Sequence, residues 1–165
     1  MRQVVVVSDT HIPSRADELP DFVANEIEDA NLVVHAGDFD SEEAYDEIRD
    51  LADDLVAVRG NMDPRSLGLP KTETLWVEDV QFVVVHGTGP LDDYEERVRD
   101  IVREERDDPN AVGISGHTHE LRDWTTDDVR LLNPGSATGV DPADQPSLLL
   151  VDVDGDSVDA TARWD

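Results

Sequence analysis

Short apolar runs recur along this chain, and what lies between them changes part-way through. Residues 4–7 are four consecutive valines, an unbroken run of the kind found in strands buried on both faces. A polar loop over residues 8–19, punctuated by Pro13, follows. Residues 20–30 switch to helical spacing, with Pro20 at the start and Phe22, Val23, Ile27 and Ala30 on one face. A second strand is predicted over 32–34. Ser41 then caps a second helix running to about residue 53, with Ala44, Ile48 and Leu51 inward. Residues 55–58 complete a β-α-β-α-β series, which predicts a parallel sheet with right-handed crossovers.

Beyond residue 70 the pattern becomes one of hairpins. Two strand-like runs, 72–77 and 80–85, flank Glu78-Asp79. Residues 91–106 read as a charged helix with Val98, Ile101 and Val102 inward, and 111–115 as a strand. Runs at 121–124 and 129–132 flank Thr125-Thr126-Asp127-Asp128, and runs at 147–153 and 157–163 flank Asp154-Gly155-Asp156, the strongest hairpin signal of the chain. Trp76, Trp124 and Trp164 read as core or sheet-face residues. With 165 residues and no repeat or linker, a single domain over 1–165 is expected.

Composition narrows the chemistry. The absence of cysteine excludes disulfides, thiolate metal sites and a cysteine nucleophile. No apolar run nears the roughly 20 residues of a membrane span, and nothing signal-like precedes the first strand, so a cytoplasmic protein without membrane contact is expected. Forty acidic residues face thirteen basic ones, for a net charge of −27. The apolar runs argue against disorder, so the charge reads as an acid-coated surface of the halophilic kind. Its self-repulsion is screened over about 30 Å in dilute buffer but about 3 Å in molar salt. The hypothesis that follows is loss of structure on desalting, and a circular-dichroism spectrum constant from molar KCl to dilute buffer would contradict it. Binding to long nucleic acid is not expected, since it relies on Lys and Arg neutralising phosphates.

Four of the five histidines fall in three places: Asp9-Thr10-His11, Val85-His86-Gly87 and Gly116-His117-Thr118-His119. Gly37-Asp38 and Gly60-Asn61 lie between them. Nearly every one of these segments follows an apolar run, and in open α/β sheets ligands bind beyond the carboxyl ends of the strands. The oxygen and nitrogen donors Asp9, His11, Asp38, Asn61, His86, His117 and His119 are too many for one tetrahedral ion. They suit two borderline metals sharing a bridging carboxylate.

Each motif alone is weak. Together, in the order Asp-x-His, Gly-Asp, Gly-Asn-x-Asp, His-Gly, Gly-His-x-His, they resemble the signature of the calcineurin-like metallophosphoesterases. Small size and the turn Asn133-Pro134-Gly135-Ser136 make the chain most similar to the compact bacterial and archaeal phosphodiesterase branch. The resemblance implies a four-layer α/β/β/α sandwich of two mixed β-sheets. It implies that Asp9, His11 and His119 hold one divalent ion, that Asn61, His86 and His117 hold the other, and that Asp38 bridges. Manganese is the first expectation, with Fe, Co, Ni or Zn as alternatives. The implied reaction is hydrolysis of small phosphate esters, diesters first, by in-line attack of a metal-bridging hydroxide, with no protein nucleophile. A homo-oligomer, dimer or larger, is also implied.

Two positions depart from the pattern. Met62 stands where larger relatives carry the histidine held to protonate the leaving group, and Thr88 stands where many compact relatives have a further histidine. Around the ligands, Asp63 is expected to orient a histidine rather than serve only as a turn residue before Pro64, Arg59 to touch substrate or pair with a carboxylate, and His35 to be a buried structural histidine. Asp40 sits close to Asp38 and reads equally as part of the site or as a solvated loop acid. Two rival functions are a non-catalytic scaffold on the same fold and a nuclease. A scaffold is expected to have lost at least one ligand, and this chain has lost none.

Overall fold

A computed structural model describes all residues, Met1–Asp165. The strands are β1 (Arg2–Val7), β2 (Leu32–His35), β3 (Leu55–Ala57), β4 (Thr72–Val77), β5 (Val80–Val85), β6 (Val112–Ile114), β7 (Leu121–Thr126), β8 (Val129–Pro134), β9 (Leu148–Asp154) and β10 (Ser157–Arg163). The α-helices are α1 (Asp21–Asp29), α2 (Glu42–Leu51) and α3 (Tyr94–Glu105), with a 3-10 turn at Arg65–Leu67.

They form two mixed five-stranded sheets, ordered β10-β9-β1-β2-β3 and β4-β5-β6-β8-β7. In the first, β1, β2 and β3 run parallel, as the alternating pattern predicts. The last hairpin returns to pair antiparallel with the free edge of β1. In the second, β5, β6 and β8 run parallel between antiparallel edge strands.

The doubly buried valines follow from this layering. Val4 and Val6 point between the sheets, against Phe82, Val84 and Ile114. Val5 and Val7 point the other way, onto Val23 and Ile27 of α1 and Ile48 of α2. On the far side, Val83 and Val85 of β5 meet Val98 and Val102 of α3. The order of layers is therefore helices, sheet, sheet, helix: the expected α/β/β/α sandwich. No helix is long and apolar enough to cross a membrane.

The corrections are local. Helix α2 stops at Leu51, because Ala52 is already extended and Asp54 has to deliver its carbonyl to the Val33 N–H, 2.9 Å away. Helix α3 starts at Tyr94 rather than residue 91, leaving Leu91 exposed in the preceding turn. Strand β7 runs on to Thr126, leaving a two-residue turn before β8 in which Asp127 takes φ 53°. Trp76 lies on an edge strand and is 52% exposed, and Trp164, beyond β10, is 49% exposed. Only Trp124 packs, half-buried beside α3, its indole N–H donating to Glu95 at 2.6 Å.

Candidate metal centre

All the parallel strands of both sheets end at one rim, and the loops leaving them carry the polar residues. Asp9 and His11 follow β1, Asp38 follows β2, Asn61 follows β3, His86 follows β5 and His117 follows β6. The chain turns inward there by left-handed backbone. Asp9, His11, Asp38, His117 and His119 have φ of 54°, 48°, 67°, 74° and 62°, a region where non-glycine residues are rare and Asp and His over-represented. Two glycines permit the loops to close on one another. A Cβ on Gly60 would come within 2.1 Å of Asp38 Oδ1, and one on Gly116 within 2.1 Å of Ser8 Oγ.

Each carboxylate in the cluster has one oxygen tied and one aimed inward. Asp9 Oδ2 accepts from Ser8 Oγ at 2.7 Å and from the His117 N–H at 3.0 Å, while Oδ1 is buried without a partner. Asp38 Oδ1 accepts from the Met62 N–H at 2.8 Å, and Oδ2 lies 3.1 Å from His86 Nε2 and 3.5 Å from His11 Nε2.

The imidazoles follow the same rule. A carbonyl oxygen only accepts, so a ring nitrogen facing one carries the proton. His86 Nδ1 donates to Ala36 O at 2.7 Å, His119 Nδ1 to Val140 O at 2.9 Å, and His117 Nε2 to Gly89 O at 3.0 Å. His11 Nδ1 donates to Asp40 Oδ2 at 3.0 Å. The Nε2 atoms of His11, His86 and His119 are thereby turned toward Asp9 Oδ1, at 3.6, 3.8 and 3.4 Å. His11 Nε2 and His119 Nε2 stand only 3.2 Å apart.

Lone pairs and carboxylates converging in a buried space need positive charge among them. The same surroundings favour protons on the His11 and His86 imidazoles. Burial opposes charge on His11, but the hydrogen bond to Asp40 and the Asp9 carboxylate 3.6 Å away outweigh it and push its pKa up to about 9. Burial likewise opposes charge on His86, but Asp38 and Asp9 take it to about 9. Burial would raise the Asp9 carboxyl, yet the His11 and His119 imidazoles facing it at 3.6 and 3.4 Å hold it far below the usual range. The donor atoms of Asp9, His11 and His119 all lie within 4.8 Å of one another, as do those of Asp9, Asp38 and His86. The donor set and the unpartnered Asp9 Oδ1 and His86 Nε2 fit divalent cations.

Of the seven candidate ligands, five fall in these two close groups. Asn61 is exposed at the mouth, and His117 sits beside His86 with ring centroids 5.2 Å apart.

The supporting residues differ from expectation. Asp63 touches no histidine. Its carboxylate accepts from the N–H groups of Asp38, Phe39, Asp40 and Gly60 at 2.9, 2.7, 3.0 and 2.8 Å, and so clamps the Gly37-Asp38 loop to the Gly60-Asn61 loop. His35 is buried as expected and cannot ligate. Its Nδ1 accepts from the Gly37 N–H at 3.0 Å, and its Nε2 meets Thr10 Oγ1 at 3.3 Å. Burial pushes its pKa down to about 3. Asp40, read as ambiguous, is the residue that holds His11.

Tyr94 carries no signal in the sequence beyond its place near a helix start. Its buried hydroxyl donates to Gly116 O at 2.6 Å, and burial first of all takes its pKa to about 12. The Asn133-Pro134-Gly135-Ser136 turn braces both ligand loops. Asn133 Nδ2 donates to Gly116 O at 3.1 Å, and Ser136 Oγ to Asp9 O at 2.8 Å.

Residues 1–156 match the calcineurin-like phosphoesterase superfamily domain. The chain belongs to that superfamily. Among the phosphoesterases it resembles is a probable metallophosphoesterase of Methanothermobacter thermautotrophicus, 37% identical over 157 residues, covering 94% of this chain and 88% of that one. A probable metallophosphoesterase of Methanocaldococcus jannaschii is 42% identical over 135 residues, covering 81% and 67%. Among solved structures, Vps29 of Entamoeba histolytica complexed with zinc superposes with a TM-score of 0.77 at 26% identity, covering 98% of each chain. The fold is therefore shared by probable metallophosphoesterases and by Vps29, and this member of the superfamily carries a cluster of candidate cation donors at its rim.

Proposed function

We propose that this protein is a binuclear metal-dependent phosphoesterase acting on small phosphate esters, diesters first. The observation that carries the reading is the polarity of the cluster: every buried carboxylate and imidazole is tied from behind and presents one unshared oxygen or nitrogen to a common space. Asp9, His11 and His119 would hold one ion, and Asn61, His86 and His117 the other. Asp38 Oδ2, between His11 and His86, would stand between the ions. Two ions so held polarise phosphoryl oxygens and acidify water near neutral pH. Imidazole and carboxylate donors suit manganese, with Fe, Co, Ni and Zn as alternatives.

The protein residues bind and orient. Asp63 and Asp40 fix the loop and the ring on which two ligands stand. Position 62 is a methionine, 50% exposed, and a thioether cannot protonate a leaving group. Esters with leaving groups of low pKa are therefore preferred, or the proton comes from water. The zinc complex of a protein of the same fold and the probable metallophosphoesterase relatives support the assignment.

The test is hydrolysis of bis(p-nitrophenyl) phosphate and p-nitrophenyl phosphate in molar KCl, with manganese returned after chelation. Diester cleavage that needs the metal and disappears in Asp38→Asn is expected. No turnover with any divalent metal, in a folded protein that binds two ions, would shift the reading to a scaffold.

A further inference from the structure

A chain with forty acidic and thirteen basic residues has a carboxylate near almost any cation. Eight of the thirteen, from Arg49 to Arg163, form ion pairs accordingly. Five do not, and three of those five gather in one place. Arg59, Arg65 and Lys71, the last being the only lysine in the chain, line a cavity of about 550 Å³ whose wall also includes Asn61 and His86. Glu104 and Glu105 stand on the same cavity, yet neither pairs with any of the three.

The loop is built to bring these cations together. The Arg59 N–H donates to Pro70 O at 2.8 Å, closing residues 59–70 into a compact loop that sets Arg59 beside Lys71. Within it the 3-10 turn Arg65–Leu67 ends at Gly68 in left-handed conformation (φ 65°), and Arg65 lines the cavity.

The opposite flank of the donor cluster has the reverse character. The groove reached past His119 is lined by Asp92, Glu95, Glu120 and Asp144, and its one arginine, Arg122, is paired with Glu95 at 3.6 Å. A protein of net charge −27 repels an anionic ester over most of its surface. Unpaired cations gathered on a concave wall raise the local concentration of anions, and guanidinium groups match phosphate and carboxylate oxygens in pairs.

We propose that this cavity is a second anion site, which receives a phosphate or carboxylate carried by the substrate in addition to the phosphate at the donor cluster. The preferred substrates are esters with at least two anionic groups, and the acidic groove beyond His119 sets their orientation by repelling the same group. This rests on the phosphoesterase reading for the word substrate, but the binding it requires does not.

The experiment measures binding by titration calorimetry on the zinc-loaded protein, so turnover is not needed. The probes are methylphosphonate, with one anionic group, and a series of non-hydrolysable α,ω-alkane bisphosphonates of increasing chain length. At one chain length the bisphosphonate is expected to bind tighter than methylphosphonate. Arg65→Gln/Lys71→Gln is expected to weaken that bisphosphonate by roughly tenfold or more while moving methylphosphonate far less. Arg49→Gln/Arg163→Gln, which removes two cations elsewhere, controls for net charge. Loss of affinity for both probes alike, or a bisphosphonate effect equal in the control, would overturn the proposal. Both outcomes are readable in a protein that hydrolyses nothing.

Discussion

On the His11 side of the donor cluster the rings are buried and anchored from behind, His11 by Asp40 and His119 by the Val140 carbonyl. On the Asn61 side His86 is anchored and fully buried, while His117, held by the Gly89 carbonyl at 3.0 Å, lies nearer the surface. Asn61 is exposed with no side-chain hydrogen bond, and His117 is half-buried. The first half is a pocket whose donors already point at one spot. The second opens onto a cavity lined by unpaired cations. Rigid, desolvated donors hold an ion well, whereas a site with loose donors and an open face is where a substrate can displace water. The two halves of one cluster are thus suited to different tasks, retention and exchange, and Asp9 and Asp38 join them.

The largest effect is expected from removing what the halves share. Asp63 accepts four buried backbone N–H groups at the junction of two ligand loops. Asp63→Ala leaves those donors without acceptors, at a cost of about 4 kcal/mol if water satisfies some of them. That corresponds to a fall in Tm of about 12 °C for a chain of this size. Both ions are expected to be lost together in a metal titration of whatever remains folded. A variant with wild-type Tm and full metal content would show that the clamp does not frame the site.

A smaller, one-sided effect is expected from Asp40→Ala. Asp40 touches His11 and Ser14 but none of the other candidate ligands. Loss of such an anchor typically costs about 10- to 100-fold in metal affinity. Zinc calorimetry should therefore show one of two binding steps weakened and the other unchanged. Equal weakening of both steps would break the contrast between the halves.

Much of this was legible in the chain and some was not, for reasons that differ by residue. The candidate donors announce themselves because Asp and His stand at the ends of apolar runs, in segments whose order is specific. The first β-α-β-α-β series is local and follows from period alone. The return of β9 to β1 is not local: Gln3 pairs with Asp152 across 149 positions, and no short-range signal encodes it. Asp40 was hidden because it is one acid among forty. Asp63 was singled out as a support but assigned the wrong partner, since a carboxylate four residues from nothing but loop gives no hint that it gathers backbone N–H groups. Arg59 stood out beside Gly60, but Arg65 and Lys71 gave no sign of joining it, and the three become a cluster only when the loop between β3 and β4 closes.

The smallest effect tests whether protons do stand in for metal in both halves. In the metal-free protein His11 and His86 have pKa values raised to about 9 from an ordinary 6.5. A raised folded-state pKa means the folded protein binds more protons than the unfolded one between those values. Their contribution to stability is therefore complete below about 6.5 and is lost as pH rises through about 9. His35, whose pKa is lowered to about 3, acts in the opposite sense and only below its ordinary value, so a comparison of about pH 7 with about pH 9.5 avoids it. Chelated protein is expected to melt several degrees lower at the higher pH. With zinc bound the ions replace those protons and the difference should shrink. In Asp40→Ala the chelated protein should lose much of the His11 share of the pH dependence and keep that of His86. A melting temperature independent of pH over this window, with or without chelator, would mean that the cluster does not hold the protons its geometry calls for.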